Sequence, residues 1–309
     1  MANERVLIVC NKSWETDAVL SAIFNDDFRH PSFDFKLFKI RNFIWPWKAD
    51  QQGVAQPRVV FETDKYQFEI WCIQNIMTTN PNPSDFYYYS RSIQKGLDFH
   101  KILEFEKDKT IKTVIAFGTA GVPTEVSKNG SIVIGSNVFV YDASPELPAN
   151  EKYFRADFGQ LITSAINVGF FDSLNIGLSS LVMKLYFEKK ALVPPINPAN
   201  TFQVIADNSI VAISDVNIKS YSDYKTADKA ALDAYANLKT SQVPYSVETT
   251  HGLTRIETRK YDFIFITAVT DRDAYFDFEV TPRPSAQNFS CSFNAGLVIS
   301  WLIPFMNNL

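Results

Sequence analysis

Glu15, the segment Gly118-Thr119-Ala120-Gly121 and Asp271 are the residues whose types and places suit chemistry. Each closely follows a short apolar run that reads as a buried strand, and ligands of open α/β sheets sit beyond the carboxyl ends of strands. A carboxylate there can orient a water or pass a proton, and small residues let a ligand approach the backbone. Ordinary explanations stay open for all three. Glu15 suits a solvated first-turn carboxylate favoured by a helix dipole, the Gly-Thr-Ala-Gly segment suits a tight turn with positive φ, and Asp271 suits a cap or a partner of Arg272.

Other chemistries lack their residues. None of the 11 glycines makes GxGxxG. Gly130 and Gly135 have P-loop spacing, but Ser136-Asn137 stand where lysine and a hydroxyl residue hold phosphate and magnesium. GxSxG and HExxH are absent. Cys10, Cys72 and Cys291 are far apart with no metal-ligand spacing, so no structural zinc is expected. His30, His100 and His251 belong to no nucleophile or metal pattern; His251 stands out for its segment, Val247-Glu248-Thr249-Thr250-His251-Gly252.

The elements that must position these residues follow from periodicity. Val6 to Cys10 reads as a buried strand, followed by a helix with Ser13 as a candidate N-cap and Trp14, Ala18, Val19, Ala22 and Ile23 at helical spacing. Phe33 to Ile40 and Tyr66 to Ile73 read as strands, with an irregular insertion around Trp45-Pro46-Trp47. A helix is expected from Ser84 to about Phe105, and a strand from Thr113 to Phe117 running into the Gly-Thr-Ala-Gly turn. Ser131 to Tyr141, Phe202 to Ile205, Ile210 to Ile213 and Phe263 to Val269 read as strands. Leu174 to Lys189, Thr226 to Leu238 and Asn288 to Phe305 read as helices. Alternating strands and helices predict an α/β layer fold.

Composition narrows the partners. With 309 residues, 46% apolar content and a formal charge of −4, the chain is that of a globular protein without the basic footprint of nucleic-acid binding. The apolar run from Leu297 to Met306 contains Pro304 and is too short to span a bilayer, and no signal peptide precedes Val6, so a cytoplasmic protein with reduced thiols and no membrane partner is expected.

In order along the chain, Ile8-Val-Cys-Asn-Lys-Ser-Trp-Glu15, Val114-Ile-Ala-Phe-Gly-Thr-Ala-Gly121, Gly130-Ser-Ile-Val-Ile-Gly135, Val247-Glu248-Thr249-Thr250 and Ala268-Val-Thr-Asp271 resemble the nucleoside phosphorylase and nucleosidase superfamily. The resemblance is nearest to methylthioadenosine/S-adenosylhomocysteine nucleosidases and purine nucleoside phosphorylases. It implies one domain over residues 1–309, a central mixed twisted sheet flanked by helices, with insertions near 41–57 and 186–200. It also implies cleavage of the N-glycosidic bond of a purine nucleoside or related metabolite, no cofactor, and a homo-oligomer.

Residue by residue, the resemblance makes Glu15 the group that orients water or a sugar hydroxyl and Asp271 the general acid. Gly118, Thr119, Ala120 and Gly121 would line the sugar pocket, and Val216 and Asn217, in Ser214-Asp215-Val216-Asn217, would face the base. Glu248, Thr249 and Thr250 stand where the family has Glu-Met-Glu, so the carboxylate that grips the ribose hydroxyls is replaced by Thr250. Where related phosphorylases place a phosphate-binding arginine, this chain has Ala116, which favours water over phosphate as the second substrate. A non-catalytic nucleoside-binding module on the same scaffold is the alternative.

Overall fold

The computed structural model describes residues 4–32, 39–43, 56–76, 92–122, 132–136, 138–142, 153–156, 168–181, 204–206, 210–214, 246–248, 251–258, 260–272 and 285–307. The strands among them are β1 (Glu4–Cys10), β2 (Lys39–Phe43), β3 (Val59–Glu62), β4 (Tyr66–Cys72), β5 (Ile111–Val122), β6 (Ile132–Gly135), β7 (Val138–Asp142), β8 (Tyr153–Ala156), β9 (Val204–Ala206), β10 (Ile210–Ser214), β11 (Val247–Glu248) and β12 (Asp262–Arg272). The helices are α1 (Ser13–Ile23), α2 (Ser92–Glu106), α3 (Val168–Asp172, continued by a π-turn over Ser173–Leu178), α4 (His251–Glu257) and α5 (Ser285–Asn307).

All the described strands join one mixed sheet, the α/β architecture that the alternating pattern predicts. Its centre is β5, parallel to β1 on one side and to β12 on the other. From β1 the sheet continues through β4, β3 and β2, and from β12 through β6 and β9. β11, β10, β7 and β8 extend from the far end of β5. The three central strands are nearly continuous Val, Ile, Leu and Phe because both of their faces are covered.

Side chains alternate across the sheet, so β5 feeds two cores. Ile115 and Phe117 pack with Ile8, Cys10, Ile264 and Ile266 under α1, α3 and α5. Val114 and Ala116 pack on the opposite face with Val9, Phe265 and, from α2, Phe99 and Ile102. α1 and α5 cross closely at Gly296, where a Cβ would lie 2.8 Å from Ala22 Cβ and 3.0 Å from Val19 Cα. Arg58, itself buried, fixes the same helix through an Nη2 to Asp17 Oδ1 bond of 3.1 Å.

Several expectations are corrected. The helix begins at Ser13, with Lys12 rather than Ser13 as N-cap. Part of the region read as an insertion is strand: Asn42 and Phe43 pair with β3. Ser131 to Tyr141 is two strands, because β6 pairs with β12 and β9 whereas β7 pairs with β10 and β8. Gly118 to Gly121 is not a turn, since β5 continues through it to Val122, held by β12. Pro304 does not end α5, and Asn288–Asn307 has the length and composition of a membrane span, although 89% of the most apolar stretch is buried against the protein. The helix expected at 226–238 lies outside the described residues.

Candidate functional site

The neighbour of β5 changes where the candidate residues lie. β1 accompanies it as far as Phe117, opposite Cys10, and β11 joins the sheet at Gly121, opposite Val247. Between these points the backbone at 118–120 has no strand partner on that side among the described residues, and the chain after β1 turns into α1. Glu15 fills the opening from the first turn of α1. Its Oε1 accepts hydrogen bonds from Thr119 N (3.0 Å) and Thr119 Oγ1 (2.9 Å), and its Oε2 from Asn11 N (3.1 Å) and Lys12 N (2.8 Å).

Glu15 is 1% exposed, so the solvated first-turn reading is wrong. Four donors surround an acceptor-only group, the arrangement a buried carboxylate needs. The carboxylate therefore has two roles. It satisfies the N-cap backbone amide of α1, and it stitches that helix to the central strand where ladder hydrogen bonding is interrupted.

On the other side of β5, Thr267 faces Gly118, and the register slips between Val269 and Asp271 so that Asp271 lies opposite Gly121. The bulged Thr270 directs its hydroxyl at Ala120 O, 3.5 Å away. Gly121 thus has the backbone of Asp271 on one side and that of Val247, next to Glu248, on the other. Segments separated by most of the chain, around residues 15, 120, 248 and 271, meet at the carboxyl end of β5. Val216, Asn217, Thr249 and Thr250 lie outside the described residues.

One further residue belongs here. His251, the first residue of α4, is buried, with Nδ1 3.1 Å from Thr267 Oγ1 and its ring stacked on Phe265 at a centroid distance of 5.7 Å. A Cβ on Gly118 would stand 3.5 Å from His251 Nε2, 3.5 Å from Glu15 Oε1 and 3.7 Å from Glu15 Oε2. No backbone strain calls for glycine at this position. Its missing side chain leaves a methyl-sized recess between a carboxylate and an imidazole. In sequence the only signal for His251 was its place beside Thr249-Thr250. His30 and His100 lie elsewhere, His30 edge-on to Trp301 and Phe305 and His100 paired with Glu257.

A second charged cluster sits at the opposite, amino end of the central strands. Arg5 bonds Glu69, which also accepts from Gln67 Nε2 (2.8 Å) and Trp71 Nε1 (3.1 Å), while Glu106 accepts from Lys109 Nζ (2.8 Å). Burial first, and then the neighbouring Glu69 carboxyl, raise the Glu106 pKa to about 7. Its distance from the carboxyl edge gives it a bearing on stability rather than on the site.

Fold and site together define an α/β protein with a mixed central sheet and a buried polar centre at the carboxyl edge of its middle strand. No protein-family model and no curated protein matches the sequence. Solved structures similar to it include the S-adenosylhomocysteine nucleosidase from Streptococcus pyogenes, with TM-score 0.48, 10% identity, and coverage of 100% of this chain and 98% of that one. The methylthioadenosine/S-adenosylhomocysteine nucleosidase from Colwellia psychrerythraea, in complex with adenine, matches with TM-score 0.49, 12% identity and coverage of 98% and 96%. Futalosine hydrolase from Helicobacter pylori matches with TM-score 0.48, 10% identity and coverage of 99% and 100%.

Proposed function

We propose that the protein cleaves the N-glycosidic bond of a purine nucleoside or a related metabolite, with water as the acceptor in preference to phosphate. The observation that carries this reading is the placement of Glu15, a buried carboxylate bonded to both Thr119 N and Thr119 Oγ1 at the point where the central strand changes neighbours. Breaking such a bond requires a proton for the departing base and stabilisation of a cationic sugar, and carboxylates supply both. Asp271, at the end of β12, is the proposed acid, and Glu15 the proposed group for the water or sugar hydroxyl.

The preference for water rests on Ala116. It is fully buried among Leu7, Val9, Trp71 and Phe99, so that position supplies no guanidinium for the bidentate contacts that favour phosphate. Gly118 to Gly121 would line the sugar side, with Glu248, Thr249 and Thr250 near the hydroxyls and Val216 and Asn217 near the base. A single domain over residues 1–309, assembled as a homo-oligomer in the cytoplasm, is part of the same proposal.

One observation favours a second reading, a nucleoside-binding module without turnover. Each Glu15 oxygen already holds two donors, which matches the roughly four lone-pair sites of a carboxylate. A panel of nucleosides, incubated with and without phosphate and followed for free base, separates the readings. Release without phosphate is expected. Binding without release supports the module, and a phosphate-dependent acceleration of tenfold or more overturns the preference for water.

A further inference from the structure

The amino end of the central strands holds two buried acids against one base. Arg5, near the start of β1, bonds Glu69 of β4 through Nη1, and its Nε stands 3.7 Å from Oε2 of Glu106, the last residue of α2. Both glutamates are buried, but they are supplied with donors unequally. Glu69 has three, Arg5 Nη1, Gln67 Nε2 and Trp71 Nε1, against the roughly four lone-pair sites of a carboxylate, so one site is vacant. Glu106 Oε1 accepts from Lys109 Nζ at 2.8 Å, whereas its Oε2 is buried with no hydrogen-bond partner. An ionised carboxylate with an unmet oxygen is costly, and at the C-terminus of a helix the dipole adds repulsion. A proton on Oε2 removes both penalties. The oxygen becomes a donor, and Glu69, within hydrogen-bonding reach, has the vacant acceptor site.

We propose that Glu106 and Glu69 share one proton, and that this acid–carboxylate hydrogen bond latches the end of α2 and the turn into β5 onto β1 and β4, opening when the proton is lost. The inference is independent of the functional reading above. Burial, and then the Glu69 carboxyl, raise the Glu106 pKa from the ordinary 4.5 to about 7. The folded chain therefore keeps the proton below that pH and gives it up as pH rises through it. Glu69 is fixed within the sheet, since β4 pairs with both β1 and β3. Glu106 is held by Lys109, three residues on in the same turn, whose amide also donates to Glu106 O at 2.8 Å. A second negative charge beside Glu69 thus displaces Glu106 and its turn rather than β4.

The charged groups that face Glu106 are Arg5 from β1, Glu69 from β4 and Lys109 from the turn. Among the described residues, the other charges on the elements around it are engaged or exposed. Glu104 and Lys107 are exposed, and Lys101 donates to Ile76 O. His100 pairs with Glu257 of α4, and Arg255 of α4 lies over Phe263. Lys112 of β5 pairs with Asp262 of β12.

Trp71 supplies a readout, because its indole N–H bonds Glu69 and its ring meets Phe105 of α2 edge-on at 5.2 Å. With five tryptophans, the indole 15N–1H spectrum of the intact protein is assignable through Trp71→Phe. The Trp71 signal is expected to titrate with a midpoint near 7. Hydrogen exchange over residues 104–111, corrected for its own pH dependence, is expected to rise at least about tenfold between about pH 6 and 8, with β1 unchanged. Glu106→Gln, whose amide N–H reproduces the donor, is expected to abolish both changes. In Glu69→Gln the Glu106 midpoint, read on its 13C carboxyl, is expected to fall by about one pH unit or more. An unchanged midpoint in that variant overturns the shared proton, as does a wild type with no titration in this range. Titration without the local rise in exchange overturns the latch. Should Glu69→Gln fail to fold, the wild-type carboxyl signals decide: Glu69 and Glu106 moving with one midpoint support the pair, and Glu106 moving alone overturns it.

Discussion

Replacing Glu15 with glutamine tests whether this carboxylate supports the fold as well as any reaction. The amide keeps one acceptor oxygen and places an NH2 group where the other was. Directed at Asn11 N and Lys12 N, the NH2 would oppose two backbone donors. Directed at Thr119, it opposes one, because the Thr119 hydroxyl can reverse and accept. The second arrangement is cheaper and leaves one buried N–H without its acceptor, a cost of about 1–3 kcal/mol, to which the weakening of the remaining bonds from charged to neutral adds roughly 1 kcal/mol. We therefore expect Glu15→Gln to lose about 2–4 kcal/mol, within the 5–15 kcal/mol typical of a domain, so the variant should still fold. Urea unfolding should show a lower midpoint with an unchanged slope, and base release should fall at least about a hundredfold. A loss of stability below about 0.5 kcal/mol would refute the reasoning, since it would place the Glu15 side chain in water.

Asp271→Asn is expected to lower kcat by about a hundredfold or more with nucleoside binding retained, measured by base release and by calorimetric titration; full activity would return Asp271 to a capping role. Gly296→Ala should cost about 1–3 kcal/mol in urea unfolding, because its Cβ meets backbone as well as side chain of α1, and an unchanged midpoint would mean that the two helices part without cost. Glu106 makes stability depend on pH in the direction opposite to that of an ordinary paired carboxylate. Its folded pKa of about 7 lies above the ordinary glutamate value of 4.5, so the folded state holds the extra proton and its contribution, about 1–2 kcal/mol after solvent screening, is lost as pH rises from about 5 to 8. Urea midpoints across that range should show this fall, and Glu106→Gln should flatten it; identical profiles for the two proteins would count against the assignment.

The centre of the molecule was legible because burial on both faces writes itself into sequence. Val6 to Cys10 and Phe263 to Val269 are uninterrupted apolar runs, and the helical period after Ser13 marks α1 and with it the place of Glu15. What remained hidden depends on partners remote in the chain. Gly118 to Gly121 looks like a turn by composition, and only the pairing with β12 keeps it extended. β11 is two residues long, too short for any periodicity, yet it closes the opening beside β5. The burial of Glu15 follows from Thr119, and the placement of His251 from Thr267 and Phe265, none of them near in sequence.

The contact between α1 and α5 governs when the carboxylate can be positioned during folding. Phe28, just beyond α1, accepts a hydrogen bond from Trp301 Nε1 across 273 positions of sequence, and Thr63 bonds Asn307 across 244. Such long-range closure slows folding relative to locally connected folds. As the chain emerges from the ribosome, the apolar face of α1 has no α5 to rest on until Ser285–Asn307 has been made. Growing chains that lack α5 should therefore expose Val19 and Ile23, attract chaperones, and acquire an ordered Glu15 only after α5 has emerged.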